Sequence, residues 1–209
     1  MRRYAFIDVQ NTESTAMKSC GFSVDWSKLY EYLCHDRWSC QKVFFYTGIE
    51  AGDTDLATQF ESLTKLSNAV VRIKPISVYK KNDKIIKMNC VHCAGENVKN
   101  IEMGYDKKAN CDVELTMDVI YTALNNKDEE VELMIMTGDG DFEALIRKMS
   151  DSDAVKKIYV ISSQKKFSSF GITRGRFSTK LKELIEEKKD KIEFINIDSW
   201  KYKIKKEII

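Results

Sequence analysis

The chain has 209 residues, which suits one domain or one domain that carries an insertion. Hydrophobic residues make up 43% of it, against one proline and nine glycines, which excludes a disordered or collagen-like protein. No run of about 18 apolar residues occurs, and charges interrupt the first apolar stretch, so we expect a cytoplasmic protein with no membrane partner.

The charge distribution and the cysteine content further limit what kind of protein this can be. The formal net charge is +2, yet residues 163–209 hold thirteen Lys or Arg against seven Asp or Glu, with a basic tail at about 198–209. This end of the chain either attracts a polyanion or is an ordinary solvated helix face. The chain is too large to need a disulfide framework, so its six cysteines predict free thiols or a metal site: positions 20, 34, 40, 90, 93 and 111.

Short apolar strands alternate with segments of helical periodicity. The predicted strands lie at residues 4–8, 42–47, 69–76, 131–136, 157–162 and 192–197. The predicted helices lie at residues 25–38, 53–66, 113–124, 142–149 and 179–188. This order predicts an α/β domain of three layers, α/β/α, around a mostly parallel sheet of five to six strands.

The alternation stops at about residues 79–110, which we interpret as an insertion into a single domain spanning 1–209. The insertion contains one short predicted strand at 85–88 and a CxxC pair, Cys90 and Cys93. Its lysines could hold a phosphate backbone; they are Lys80, Lys81, Lys84, Lys87 and Lys99.

The CxxC pair has the spacing of a zinc knuckle, but the chain has no second CxxC. Cys111 and His92 are the available third and fourth ligands. Four interpretations stay open: a Zn²⁺ site within the chain, a Zn²⁺ site completed across a homodimer, a redox switch, and two plain turn cysteines.

Aspartates follow two of the predicted strands. Asp8 ends the first strand, and Asp139 and Asp141 follow the strand at 131–136. The carboxyl ends of parallel strands meet at one edge of a sheet, so we expect these side chains to converge. Asp112 joins them from the start of the preceding helix, whereas Asp118 lies about 240° around that helix and is left out of the metal shell.

Clustered carboxylates repel one another unless a cation neutralises them, and an all-oxygen set suits Mg²⁺ or Mn²⁺. The sequence therefore predicts a divalent cation site and phosphodiester or phosphoryl chemistry. Gly138 and Gly140 are expected to permit the tight turn after the strand, and Asp141 to cap the next helix.

Three segments resemble, in order, the motifs of NYN domains, a branch of the PIN-like metal-dependent nucleases. They are Phe6-Ile-Asp8-Val-Gln-Asn11, Lys108-(x)3-Asp112-Val-(x)-Leu-(x)2-Asp118 and Thr137-Gly-Asp139-Gly-Asp141-Phe-(x)2-Leu145-Ile. The resemblance implies strand order 3-2-1-4-5 and an endoribonuclease that uses Mg²⁺ or Mn²⁺ to activate water. One departure is that Val9 and Gln10 stand where the family usually has Gly-(x) before the asparagine.

The resemblance also assigns residues. Asp8, Asp112, Asp139 and Asp141 match the acidic positions and are the expected metal ligands. Asn11 matches the motif asparagine, whose amide could orient the scissile phosphate or the attacking water, or could simply stabilise a turn. The expected partner is nucleic acid, in particular single-stranded RNA.

Two functions are alternatives to that of a nuclease. A haloacid-dehalogenase-like phosphatase would need Asp-x-Asp at the first strand, and Gln10 stands where its second acid belongs. An RNA-binding regulatory module of weak catalytic power would keep the fold and use the basic C-terminal region. Residues 167–177 interleave aromatics with arginines, as a single-strand binding loop or a plain surface loop would.

Overall fold

A computed structural model describes residues 1–89, 91–93, 95–126, 129–169 and 171–207. The strands are β1 Arg2–Asp8, β2 Lys42–Ile49, β3 Ala69–Pro75, β4 Ser77–Lys80, β5 Lys84–Asn89, β6 Glu96–Ile101, β7 Tyr105–Lys108, β8 Val131–Met136, β9 Val155–Ser162, β10 Lys166–Ser169, β11 Ile172–Gly175 and β12 Ile192–Asn196. The helices are α1 Val9–Thr15, α2 Trp26–Glu31, α3 Thr54–Thr64, α4 Asp112–Asn125, α5 Glu143–Ser150, α6 Thr179–Glu187 and α7 Lys201–Ile204.

Six strands form one parallel sheet in the order β12-β9-β8-β1-β2-β3. The predicted order 3-2-1-4-5 is confirmed, with β8 and β9 as the fourth and fifth strands and β12 added at the edge. The chain moves outward from β1 through β2 to β3 and then returns to the other side of β1. The switch point therefore lies between β1 and β8, where a crevice opens at the carboxyl ends of the strands.

Alternate residues of the central strands enter two separate cores. Ala5 and Ile7 of β1 pack into one core, and Tyr4 and Phe6 pack into the other. All six residues of β8 are buried. Helices cover both faces of the sheet, so its central strands are mostly apolar, and the three-layer prediction is confirmed.

The first helix, α1, was not predicted. The Asp8 side chain caps it, and its buried residues are Val9, Thr12 and Thr15. Two of these three are threonines, so the helix has no apolar stripe that periodicity could detect. The helix predicted at 25–38 is present as α2, which Asp25 caps and which continues as a π-helical turn, Tyr32–Asp36.

The insertion is an antiparallel ribbon in which β4 pairs with β7 and β5 pairs with β6. Residues 77–108 are named the finger. The sequence predicted one strand here because most described side chains of the finger are exposed, and exposed strands lack the apolar alternation that marks a buried face. At its base, Gly48 of β2 leaves room for Ala109, whose Cβ would lie 2.2 Å from an added Cβ.

The C-terminal part also differs from the predicted loops. β10 and β11 form an antiparallel hairpin within the segment that was interpreted as a loop. Residues Ile197–Trp200 form a 3-10 helix, followed by α7, and Ile197, Trp200 and Ile204 are buried in the core. Across the described ranges, no helix is long and apolar enough to cross a bilayer.

Candidate active site

Asp8 stands at the carboxyl end of β1, beside the end of β8, because Ile7 pairs with Met136 in the parallel ladder. Its Oδ1 accepts a hydrogen bond from the Asn11 backbone N–H at 3.1 Å. Its Oδ2 accepts one from the Thr137 hydroxyl at 3.3 Å. These two bonds fix the plane of the carboxylate at the edge of the sheet.

The loop after β8 is held by its own side chains. The Asp139 N–H donates to Thr137 Oγ1 at 3.2 Å, and Asp139 Oδ1 accepts from the Asp141 N–H at 3.0 Å. Asp139 therefore caps the 3-10 helix Gly140–Phe142, and the prediction that Asp141 caps the next helix is wrong. Asp141 lies within this 3-10 helix, and α5, which follows it, has Phe142 at its N-cap and no side-chain cap.

Gly138 and Gly140 are required for space. Neither has a positive φ. A Cβ on Gly138 would lie 2.6 Å from the Arg176 carbonyl oxygen, and one on Gly140 would lie 2.4 Å from Ser178 Oγ. The Ser178 N–H donates to the Gly138 carbonyl at 2.9 Å, so the segment before α6 packs directly on the acidic loop.

The acidic side chains meet in two adjoining clefts. Asp8, Asp112 and Asp139 line a cleft of about 680 Å³, which is named the acidic cleft. Asp139 and Asp141 line a second cleft of about 810 Å³. Asn11 lines both, so the structure brings all five sequence-predicted residues to one edge of the sheet.

The acidic cleft disfavours negative charge. Burial raises the pKa of Asp8 to about 6 against the effect of the Asn11 hydrogen bond, and the charges of Asp112 and Asp139 raise it further. Burial also raises the pKa of Asp112, to which Asp139 and Asp141 add. A cation in this cleft would relieve both the repulsion and the loss of hydration.

Within the part of the chain that the structure describes, no three His, Cys, Asp or Glu side chains lie close enough to hold a metal ion between them. The cleft carboxylates nevertheless form an all-oxygen set, which fits Mg²⁺ or Mn²⁺ rather than a soft metal. Cys90 of the CxxC pair lies outside the described residues. Cys93 is exposed, while Cys111 is buried at the start of α4 with its Sγ 3.7 Å from the Thr47 carbonyl oxygen.

Two residues of α1 join this helix to the end of β8 and to the loop that follows it. The Asn11 side-chain oxygen accepts a hydrogen bond from the Gly138 N–H at 2.8 Å. The Thr12 hydroxyl donates to the Met136 carbonyl at 3.1 Å and is buried. Sequence analysis did not assign Thr12 because the helix that carries it was not predicted.

Asp118 points to a different set of partners. Arg72 donates to both of its carboxylate oxygens at 3.0 Å, and the Tyr46 hydroxyl donates to Oδ2 at 2.9 Å. These contacts occupy the carboxylate in joining α4 to β2 and β3.

All five residues predicted for the site lie within the part of the chain that matches a known family. The model of the NYN domain family matches residues 3–174. The chain belongs to the NYN domain family. NYN domains are generally nucleases of the PIN-like superfamily, which supports an enzyme that hydrolyses nucleic acid, and PIN-like nucleases generally use divalent metals. Comparison with curated proteins and with solved structures gives no match.

Basic side chains accompany the acidic ones in this NYN domain. Lys18 and Arg176 line both clefts. Lys18 lies in the π-helical turn Ala16–Cys20, which continues α1, and it was missed together with that helix. Arg176 belongs to the aromatic and arginine run at 167–177 that the sequence had marked.

The finger lysines are less available to a phosphate backbone than expected. Three of the five predicted lysines form ion pairs with finger carboxylates. The pairs are Lys80–Asp83, Lys81–Asp106 and Lys87–Glu96.

Proposed function

We propose that this NYN domain is an endoribonuclease that hydrolyses RNA phosphodiester bonds with Mg²⁺ or Mn²⁺. Asp8, Asp112, Asp139 and Asp141 are the proposed ligands. The observation that carries the proposal is that three of them, from β1, α4 and the loop after β8, line one cleft at the carboxyl edge of the sheet. Membership of a nuclease family supports the reaction class.

A divalent ion in the acidic cleft would supply a polarised phosphoryl oxygen and a water of lowered pKa. Asp8 is prepared for this role, because Asn11 and Thr137 orient its two oxygens. Asp139 accepts the Asp141 N–H through Oδ1, and no described group donates to its Oδ2. The carboxylates must draw closer on binding, and relief of their mutual repulsion favours that closure.

Asn11 and Arg176 are proposed to act on the phosphate. The Asn11 side-chain oxygen accepts from the Gly138 N–H. The side-chain NH2 group of Asn11 donates to no described residue and is free to donate in the cleft. The Arg176 Nε is buried and has no hydrogen-bond partner among the described residues. A guanidinium beside the carboxylates would bind a phosphate oxygen and offset the charge that develops during hydrolysis.

The decisive experiment compares Asp139→Asn with Asp153→Asn on a labelled single-stranded RNA. Asp153 is exposed and precedes β9, so it lies at the opposite edge of the parallel sheet. With Mn²⁺, wild type and D153N should cleave the RNA internally, whereas D139N should lose at least a hundredfold in rate. EDTA should stop cleavage by both active proteins.

Two further measurements separate the alternatives. D139N should keep the circular dichroism spectrum and the RNA affinity of wild type, because its loss of cleavage comes from the loss of a ligand to the cation. A wild-type protein that binds RNA and never cuts it under any divalent metal would favour the regulatory module. A DNA strand of the same sequence tests whether the substrate is limited to RNA.

A further inference from the structure

The second cleft, which Asp139 and Asp141 share, continues away from the acidic cleft along the β10–β11 hairpin. It is lined by residues of the hairpin and of the start of α6, together with Lys18. This cleft is named the hairpin cleft. Its position next to Asp139 means that a chain bound along it would have its end or its next link at the proposed cation site.

The hairpin presents one aromatic and one guanidinium side chain together. Phe167 and Arg174 are directly opposite partners in the antiparallel register, so they project from the same face of the hairpin. Both line the hairpin cleft. Phe167 is half-buried, whereas Arg174 is exposed, so the ring is held in place and the guanidinium is free to reach a ligand.

Four cations line the hairpin cleft: Lys18, Arg174, Arg176 and Lys180. In the described ranges none of them has a carboxylate within ion-pair distance. Two other cations of this region do form ion pairs, Lys165 with Asp198 and Lys188 with Asp151. Unpaired cations concentrated along one groove attract a polyanion.

We propose that the hairpin cleft binds one unpaired strand of RNA, with a base stacked on Phe167 and adjacent phosphates on Arg174 and Lys18. Aromatic rings bind bases through their faces, which are accessible in a single strand and covered by neighbours in a duplex. The cleft would thus select unpaired RNA and deliver it to Asp139. This inference rests on the proposed function, since it names the strand that the same site would cut.

The test measures binding in the D139N background without divalent metal, so that cleavage does not contribute. The probe is a labelled single-stranded RNA of twelve nucleotides, with the same RNA annealed to its complement as the duplex arm. Phe167→Ala should weaken single-strand binding by roughly tenfold, whereas Phe167→Tyr should restore most of it. Neither change should alter binding of the duplex.

Arg174→Ala should weaken single-strand binding and reduce the slope of log affinity against log salt by about 0.7, the value for one phosphate contact. Lys203→Ala is the matched control, because Lys203 lies on α7 and pairs with Asp36 at 3.4 Å. It should leave affinity and slope unchanged.

The proposal is overturned if F167A and R174A bind the single strand as tightly as their D139N parent. It is equally overturned if K203A weakens binding as much as R174A, because the attraction would then belong to the basic surface in general. These results are independent of cleavage. If wild type does not cut RNA but F167A and R174A still weaken single-strand binding, only the proposed nuclease function is contradicted. If wild type cuts RNA but these two changes leave single-strand affinity unchanged, only the proposed role of the hairpin cleft is contradicted.

Discussion

The side-chain oxygen of Asn11 accepts a hydrogen bond from the Gly138 N–H, and this bond joins segments 127 residues apart in the chain. One end is in the first turn of α1, which Asp8 caps, and the other is in the loop that carries Asp139. The bond therefore sets the spacing between the first and third acidic motifs.

Replacing Asn11 by Ala should remove that bond and leave the Gly138 N–H without its partner. We expect the free energy of unfolding to fall by about 1 kcal/mol and the cleavage rate to fall at least tenfold. Urea unfolding and an RNA cleavage assay measure the two effects. Asn97→Ala, at an exposed position of the finger, should change neither; full activity of N11A would contradict the role assigned to this side chain.

The pKa of Asp8, raised to about 6 by burial, makes stability depend on pH. The unfolded carboxyl ionises near pH 4, so the contribution of Asp8 to stability is fully present below that value and is lost as pH rises through about 6. The total effect is at most about 3 kcal/mol. Urea unfolding in EDTA should show Asp8→Asn gaining on wild type between pH 4 and pH 6; a difference that is constant across this range would refute the prediction.

Asp118→Ala should affect folding rather than catalysis. The change removes the acceptor of two Arg72 bonds and of the buried Tyr46 hydroxyl. We expect a loss of about 2 kcal/mol in the free energy of unfolding, with Mn²⁺-dependent cleavage retained below the melting temperature. A folded D118A protein without cleavage would instead place Asp118 in the cation site.

Gly138→Ala and Gly140→Ala should differ in severity. The first places a Cβ against the Arg176 carbonyl, which belongs to the backbone and cannot rotate away. The second meets the Ser178 hydroxyl, so Ser178→Ala should restore part of the stability lost in G140A. We expect a loss of about 1–3 kcal/mol for G138A, measured by thermal unfolding, and S178A should not rescue it.

Sequence reasoning captured the elements whose pattern reflects burial. β1, β2 and β8 are buried on both faces, so their apolar runs predicted the sheet. Asp8 at the end of β1 and Asp139 in the loop after β8 marked the candidate site. The ordered acidic motifs gave the family.

Prediction from the sequence failed where the buried residues do not form an apolar pattern. The helix α1 buries threonines, the finger buries almost nothing, and the hairpin carries its Phe167 and Arg174 toward a cleft. Lys18 could not be assigned to the site from the sequence either, because only the path of the chain through α1 brings it to the cleft. These residues contact other parts of the site across space, and no spacing along the chain reports that.

The finger leaves and rejoins the domain at paired neighbours, since Ser77 lies opposite Lys108. The two ends of the finger therefore join the domain at one place, beside the contact between Ala109 and Gly48. A ribbon of another length or composition could replace the finger there without changing the strand order of the sheet or moving the aspartates. The chain is in this sense a nuclease scaffold with a replaceable arm.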